Sequence, residues 1–123
     1  MEILTKCAWA LLALVHAPPA AAVVNPQILR RLYGLDPGGD IGLLMRHRAA
    51  LFLILVLLCI AAVADPTLRR VASVVVGLSI VSFLALYGRA GAPAGALRTI
   101  ALFDLVALGP LGVVCLGAWW RST

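Results

Sequence analysis

From Ala49 to Ala64 the chain carries no charged, amide or hydroxyl side chain. Such a run constrains the fold more than any motif, because backbone N–H and C=O groups that meet hydrocarbon must be satisfied within the protein, and a helix does this with one segment. A bilayer core about 30 Å thick takes roughly 20 residues at a rise of about 1.5 Å each. Apolar stretches of that order recur over about residues 7–24, 45–64, 68–87 and 99–120. The expectation is a single all-α domain over residues 1–123, a four-helix transmembrane bundle. Composition agrees: 63% of the residues are hydrophobic and 12% charged, and mean hydropathy is +1.08. A soluble fold of 123 residues has too little interior to hide that much apolar surface.

The net charge of +5 does not point to nucleic acid, because the basic residues stand singly or in pairs beside apolar runs and build no solvated basic face. Cys7, Cys59 and Cys115 lie in or beside apolar runs without a CxxC pair, which argues against a disulfide framework and a zinc site.

In the first span, "CAWALLALVHAPPAAAVV", a retained helix is expected; the lysine before it and the small residues at its end also imitate a cleavable signal peptide. Pro18 and Pro19 each free a carbonyl about four residues earlier, so the resulting kink should face protein. Ala13, Ala17 and Ala21 offer a smooth packing face. Asn25 as cap, Pro26 at the first helical position and Gly34 as stop predict a short interfacial helix with Leu29, Leu32 and Tyr33 toward the membrane. Asp36 to Gly39 reads as a turn and Asp40 as the cap of the second span.

The tight Asp65–Pro66 connection makes the second and third spans antiparallel neighbours. Ser73 and Gly77 mark a close-packing face on the third, and a flexible loop follows it. Trp9, Trp119 and Trp120 read as interface markers, as do Tyr33 and Tyr87. Arg30, Arg31, Arg46, Arg48, Arg89 and Arg98 outnumber Lys6, Arg69, Arg70 and Arg121 on the opposite side. The positive-inside rule then puts the first and third loops in the cytoplasm of a bacterial inner membrane and both termini outside.

Asp104 is the acid placed within the fourth span. A carboxylate in hydrocarbon needs a proton or a cationic partner, and by default it marks function. Counting along the helices gathers Asp104, Ser82 and the proline pair into one polar layer, entered from the same side by Arg46, His47 and Arg48. The expected partner of Asp104 is Arg48 or His47, with His16 next; His16 by itself reads as an interhelical hydrogen-bond donor.

"RLYGLD", then "LLMRHRAALFLILVLL", a serine-bearing third span and an aspartate early in the fourth resemble a group of small four-span bacterial membrane proteins, broadly DoxX-like in size and layout. The likeness covers nearly the whole chain and is sharpest at Arg31 to Gly34, at Met45 to Arg48 and at Asp104. It implies an inner-membrane helical bundle and brings no activity with it. Some of that group are labelled phosphopantetheine adenylyltransferase, which this sequence contradicts, lacking a nucleotide-binding βα unit and a phosphate-cradling turn.

Three readings of function follow. The first is a structural or accessory membrane protein whose partners are the bilayer and either a second copy or a larger complex. The second is a small proton-coupled or lipophilic-substrate carrier using Asp104. The third is a quinone, lipid or haem binder at the headgroup level, using His47, Arg48, Tyr33 and Asp104. No nucleophile with a base and no metal constellation can be assembled, so catalysis is disfavoured and no cofactor is specified.

Overall fold

The computed structural model describes residues 2–25, 27–34 and 38–120, with the backbone alone at Leu29, Leu32, Tyr33 and Ala96. Regular structure among them is wholly helical: α1 (Glu2–Ala20), α2 (Ile28–Tyr33), α3 (Gly39–Ala64), α4 (Arg69–Arg89) and α5 (Ala96–Trp119). Four segments, Glu2–Val23, Gly39–Ala64, Pro66–Arg89 and Leu97–Trp119, are long and apolar enough to cross a membrane. The chain is therefore an all-α bundle of four spans, with the short α2 between the first and second.

Its outside is as apolar as its inside. Leu57, Ile60, Val71, Leu78, Leu102 and Val106 all stand exposed, as expected where hydrocarbon is the solvent. The interior is drawn from one stripe of each helix: Trp9 and Leu12 on α1, Leu55 and Cys59 on α3, Val76 and Ile80 on α4, Leu111 and Val114 on α5. Ala8, Ala62, Ala72 and Ala107 fill the places where backbones approach. The first helix is the hub, packing along α3 and α5, while α4 leans on α5; α3 and α4 share few contacts. Their hairpin fixes only one end of the pair, and they diverge toward the other.

Several local expectations change. The first helix begins at Glu2, so the charged start belongs to it. The prolines do not end it; it runs to Ala20 and tightens into a 3-10 turn over Ala21–Val23. Pro18 is exposed and Pro19 half-buried, so the kink is not turned wholly into protein. Ala13, Ala17 and Ala21 are only half-buried; the fully buried stripe passes through Thr5, Trp9, Leu12 and His16 instead. Trp9 is 0% exposed and belongs to the core rather than the interface, whereas Trp119 and Trp120 are exposed. Cβ at Gly77 would sit an ordinary 3.9 Å from Leu111, while at Gly117 it would meet Thr5 Oγ1 at 3.3 Å, so the close approach falls between α1 and α5.

Asn25 accepts the Gln27 amide at 3.1 Å, and Gly34, at φ +68°, closes α2 by donating to Arg30 O at 3.0 Å. The expectations for Pro26, Asp36, Pro37 and Arg121 and for the side chains of Leu29, Leu32 and Tyr33 lie outside the described residues. Gly38, not Asp40, caps α3, and Asp40 sits in its first turn. Tyr87 stacks on Phe83, its ring centroid 6.1 Å away, and donates to Pro93 O at 2.5 Å, which pins the loop between α4 and α5. In the α3–α4 hairpin, Asp65 accepts from the Thr67 hydroxyl at 2.7 Å and from its amide at 2.9 Å. The Thr67 hydroxyl bond foremost, then the amide bond and the field of Arg69, hold the Asp65 carboxyl below the usual carboxylate range.

At the hairpin end, two adjacent arginines tie three helices. Arg69 donates from Nε to Ala62 O at 2.7 Å and from Nη2 to Val63 O at 3.2 Å, serving carbonyls at the C-terminus of α3. The same guanidinium grips the Glu2 carboxylate at 2.7 and 3.2 Å, locking the start of α1. Arg70 donates to Ala118 O at 3.0 Å and lies 5.1 Å over the Trp119 ring, whose Nε1 donates to Ser73 Oγ at 3.0 Å. Carbonyls of a helix's last turn lack intrahelical donors, so each arginine meets an unmet need.

Candidate functional site

Toward the other end, α1, α3 and α5 border a cavity of about 450 Å³, open along a rim where Leu14, Pro18, Thr99 and Phe103 are exposed. Its wall on α1 is the stretch around the proline pair, Leu14 to His16 with Pro18 and Pro19. Proline has no N–H, so Leu14 O and Val15 O lose the bonds that residues 18 and 19 would have donated, and both residues line the cavity. Phe52 supplies the α3 wall, and Thr99, Ile100, Phe103 and Asp104 the α5 wall. Arg31 reaches it from α2.

Two buried polar residues are among those that border this space. His16 is 1% exposed and Asp104 8%. Nδ1 of His16 lies 2.8 Å from Leu12 O; a carbonyl only accepts, so Nδ1 carries the proton and donates. That bond is made within α1, so the expected interhelical donation does not occur. Nε2 is buried with no partner among the described residues. Phe52 packs against the ring, with centroids 5.7 Å apart.

Asp104 lies about 12 Å along α5 from its first residue, by helical rise. The described residues place no cation within 4 Å of its carboxylate. Arg48 is the cation whose field reaches it, but the guanidinium rests on aromatic faces, 4.9 Å from the Phe52 centroid and 5.4 Å from that of Phe83. Phe52, one turn beyond Arg48 on the same face of α3, holds it there. The anticipated direct contact of Asp104 with Arg48 or His47 is thus replaced by an aromatic cradle.

Arg46, His47 and Arg48 also part company. Successive helical residues point about 100° apart, so Arg48 turns inward while Arg46 and His47 stay exposed. Ser82 joins neither His16 nor Asp104; its hydroxyl donates to Ser79 O at 3.2 Å. Arg48, Ser79, Ser82, Phe52 and Phe83 border a second cavity of about 240 Å³ in the gap where α3 and α4 diverge. The single expected layer is therefore two spaces sharing one wall, Phe52. Tyr33 ends α2, and its side chain is outside the described residues.

Of the candidates, the structure brings His16 and Asp104 together around one cavity, sets Arg48 and Ser82 on its neighbour, and leaves Arg46 and His47 outside. Sequence reasoning missed Phe52 and Thr99 as lining residues. Phe52 had a signal, its spacing of one turn from Arg48; Thr99, at the head of a span, had none. No three His, Cys, Asp or Glu side chains among the described residues converge as a metal site. Compared with known proteins, the chain matches no family model, no curated protein and no solved structure.

Proposed function

We propose that this protein binds a small lipophilic molecule within the membrane, in the cavity between α1, α3 and α5. The observation that carries this reading is the cavity itself: about 450 Å³ with a mainly apolar lining and with His16 and Asp104 among the residues that border it. Ligand sites are commonly spaces of about 300–1,000 Å³ with a few convergent polar groups, and bundles build them between helices. The proline pair favours a related second reading, a carrier with Asp104 as its coupling acid, because interrupted helices at a binding site are a transporter device. The DoxX-like layout supports placement in a bacterial inner membrane, and the arginine distribution supports cytoplasmic α1–α3 and α4–α5 connections.

Purification in mild detergent, followed by organic extraction and mass spectrometry, tests the proposal. A lipophilic compound should accompany the wild-type protein at near-stoichiometric amount and be lost from Val15→Trp, whose indole fills the cavity. Equal recovery from both rules the cavity out as its site. If no compound accompanies either protein and Asp104→Asn only lowers the melting temperature, the accessory, structural role takes its place. In proteoliposomes, a carrier loses transport with Asp104→Asn while remaining folded.

A further inference from the structure

The cleft between α3 and α4 has a polarity of its own. The two helices are antiparallel, so its lining falls in opposite order along them: Arg48, Phe52 and Leu55 on α3 against Leu86, Phe83 and Ser79 on α4. Arg48 and Leu86 stand at the end nearest the α4–α5 loop. Leu55 and Ser79 lie about 10 Å deeper, toward the hairpin, by helical rise. Arg48 is also the last charged residue before the uncharged run from Ala49 to Ala64. That run covers about 24 Å by rise, which puts Arg48 at the edge of the hydrocarbon.

The Arg48 guanidinium, between the Phe52 and Phe83 rings, spans the gap from one helix to the other. Those ring faces attract its charge but offer no oxygen acceptor. A guanidinium carries five N–H donors in one plane, enough to fork onto a phosphate while making other bonds. Beyond it the walls turn apolar, and the Ser82 hydroxyl is spent on Ser79 O of its own helix. Leu51, Ser82 and Leu86 are exposed, so the cleft opens sideways to acyl chains.

We infer that an anionic phospholipid occupies this cleft, its phosphate held by Arg48 and one acyl chain lying along Leu51 and Leu55 toward the hairpin. The gradient from a cation at the membrane edge to bare hydrocarbon is that of the lipid itself. Charge selects the head: Arg46 and Arg89 stand exposed at the same end, and an anionic lipid, unlike a zwitterionic one, brings no ammonium to oppose them. The one acid of α3, Asp40, lies in its first turn, about 12 Å along the helix from Arg48. The inference is independent of the larger cavity, with which the cleft shares only Phe52.

Native mass spectrometry of the full-length protein from a non-ionic detergent tests it, with dioleoylphosphatidylglycerol and dioleoylphosphatidylcholine competing at equal concentration. The chains match, so only the heads differ. One phosphatidylglycerol should be held about fivefold more tightly, the contribution expected of one arginine toward an anionic lipid. That preference should vanish in Arg48→Gln and persist in Arg46→Gln, which removes the same charge from an exposed position nearby. Ser79→Trp, whose indole fills the deep end of the cleft, should lose both lipids. In wild-type protein labelled with 15N at arginine, phosphatidylglycerol should move the Arg48 Nε resonance and inorganic phosphate should not, a readout on the unaltered chain. Equal loss of preference in Arg46→Gln and Arg48→Gln traces it to a diffuse basic face and overturns the inference. Undiminished lipid on Ser79→Trp, or a resonance moved by inorganic phosphate alone, does the same. A protein that retains no lipid but forms a dimer that Ser79→Trp dissociates gives the cleft to a second copy and also overturns it.

Discussion

Neighbouring residues of like chemistry have unlike fates here, and the difference is geometric. Arg69 is buried beside a carboxylate and two carbonyls, while Arg70, rotated by about 100°, serves a different helix. Glycines divide in the same way. At Gly117 an added Cβ would press on Thr5, whereas at Gly109 it would meet nothing within 4 Å. Gly117→Leu should therefore force α1 and α5 apart and cost about 1–3 kcal/mol, the usual range for overpacking. Gly109→Ala should be neutral or stabilise by up to about 1 kcal/mol through helix propensity. Thermal unfolding of both variants in one detergent checks this, and the reverse order would mean that α5 packs through another face.

At the level of helices, the Glu2–Arg69 contact joins the start of α1 to the start of α4 and caps α3 in passing. Arg69→Ala strips two carbonyls of a charged donor, a loss of about 1.5–3 kcal/mol. Glu2→Gln leaves both carbonyls served and should lower the melting temperature by clearly less. Equal effects would place the strength of the tie in the ion pair alone. The number of spans was legible in the sequence, because apolar length is a property of the chain itself. The pairing of helices was not. A segment apolar on every side, such as Leu51 to Ala64, shows no preferred face, so neither the hub role of α1 nor the divergence of α3 from α4 is written in its pattern. Trp9 illustrates the same limit, since an indole near a terminus suits an interface and a core alike. For the site, depth counting found His16 and Asp104 but could not assign azimuth, which is what sent Ser82 and Arg48 to the neighbouring space.

For the molecule as a whole, four spans put the α3–α4 hairpin on one side of a membrane and the α4–α5 loop on the other. With the three native cysteines replaced, Thr67→Cys and Gly91→Cys should react with a membrane-impermeant maleimide from opposite faces of sealed vesicles. The proposed orientation predicts that Thr67→Cys is labelled in intact spheroplasts and Gly91→Cys only after lysis. Labelling of both from one face would remove a span from the count. The central position of α1 bears on biogenesis. In chain order α1 precedes α3, α4 and α5, so it finds its packing surfaces only on segments made after it, and Arg69, which fastens Glu2, follows it by 67 residues. Once α3 emerges, its Phe52 can settle on the His16 ring, but the face of α1 that meets α5 stays open to lipid until α5 follows.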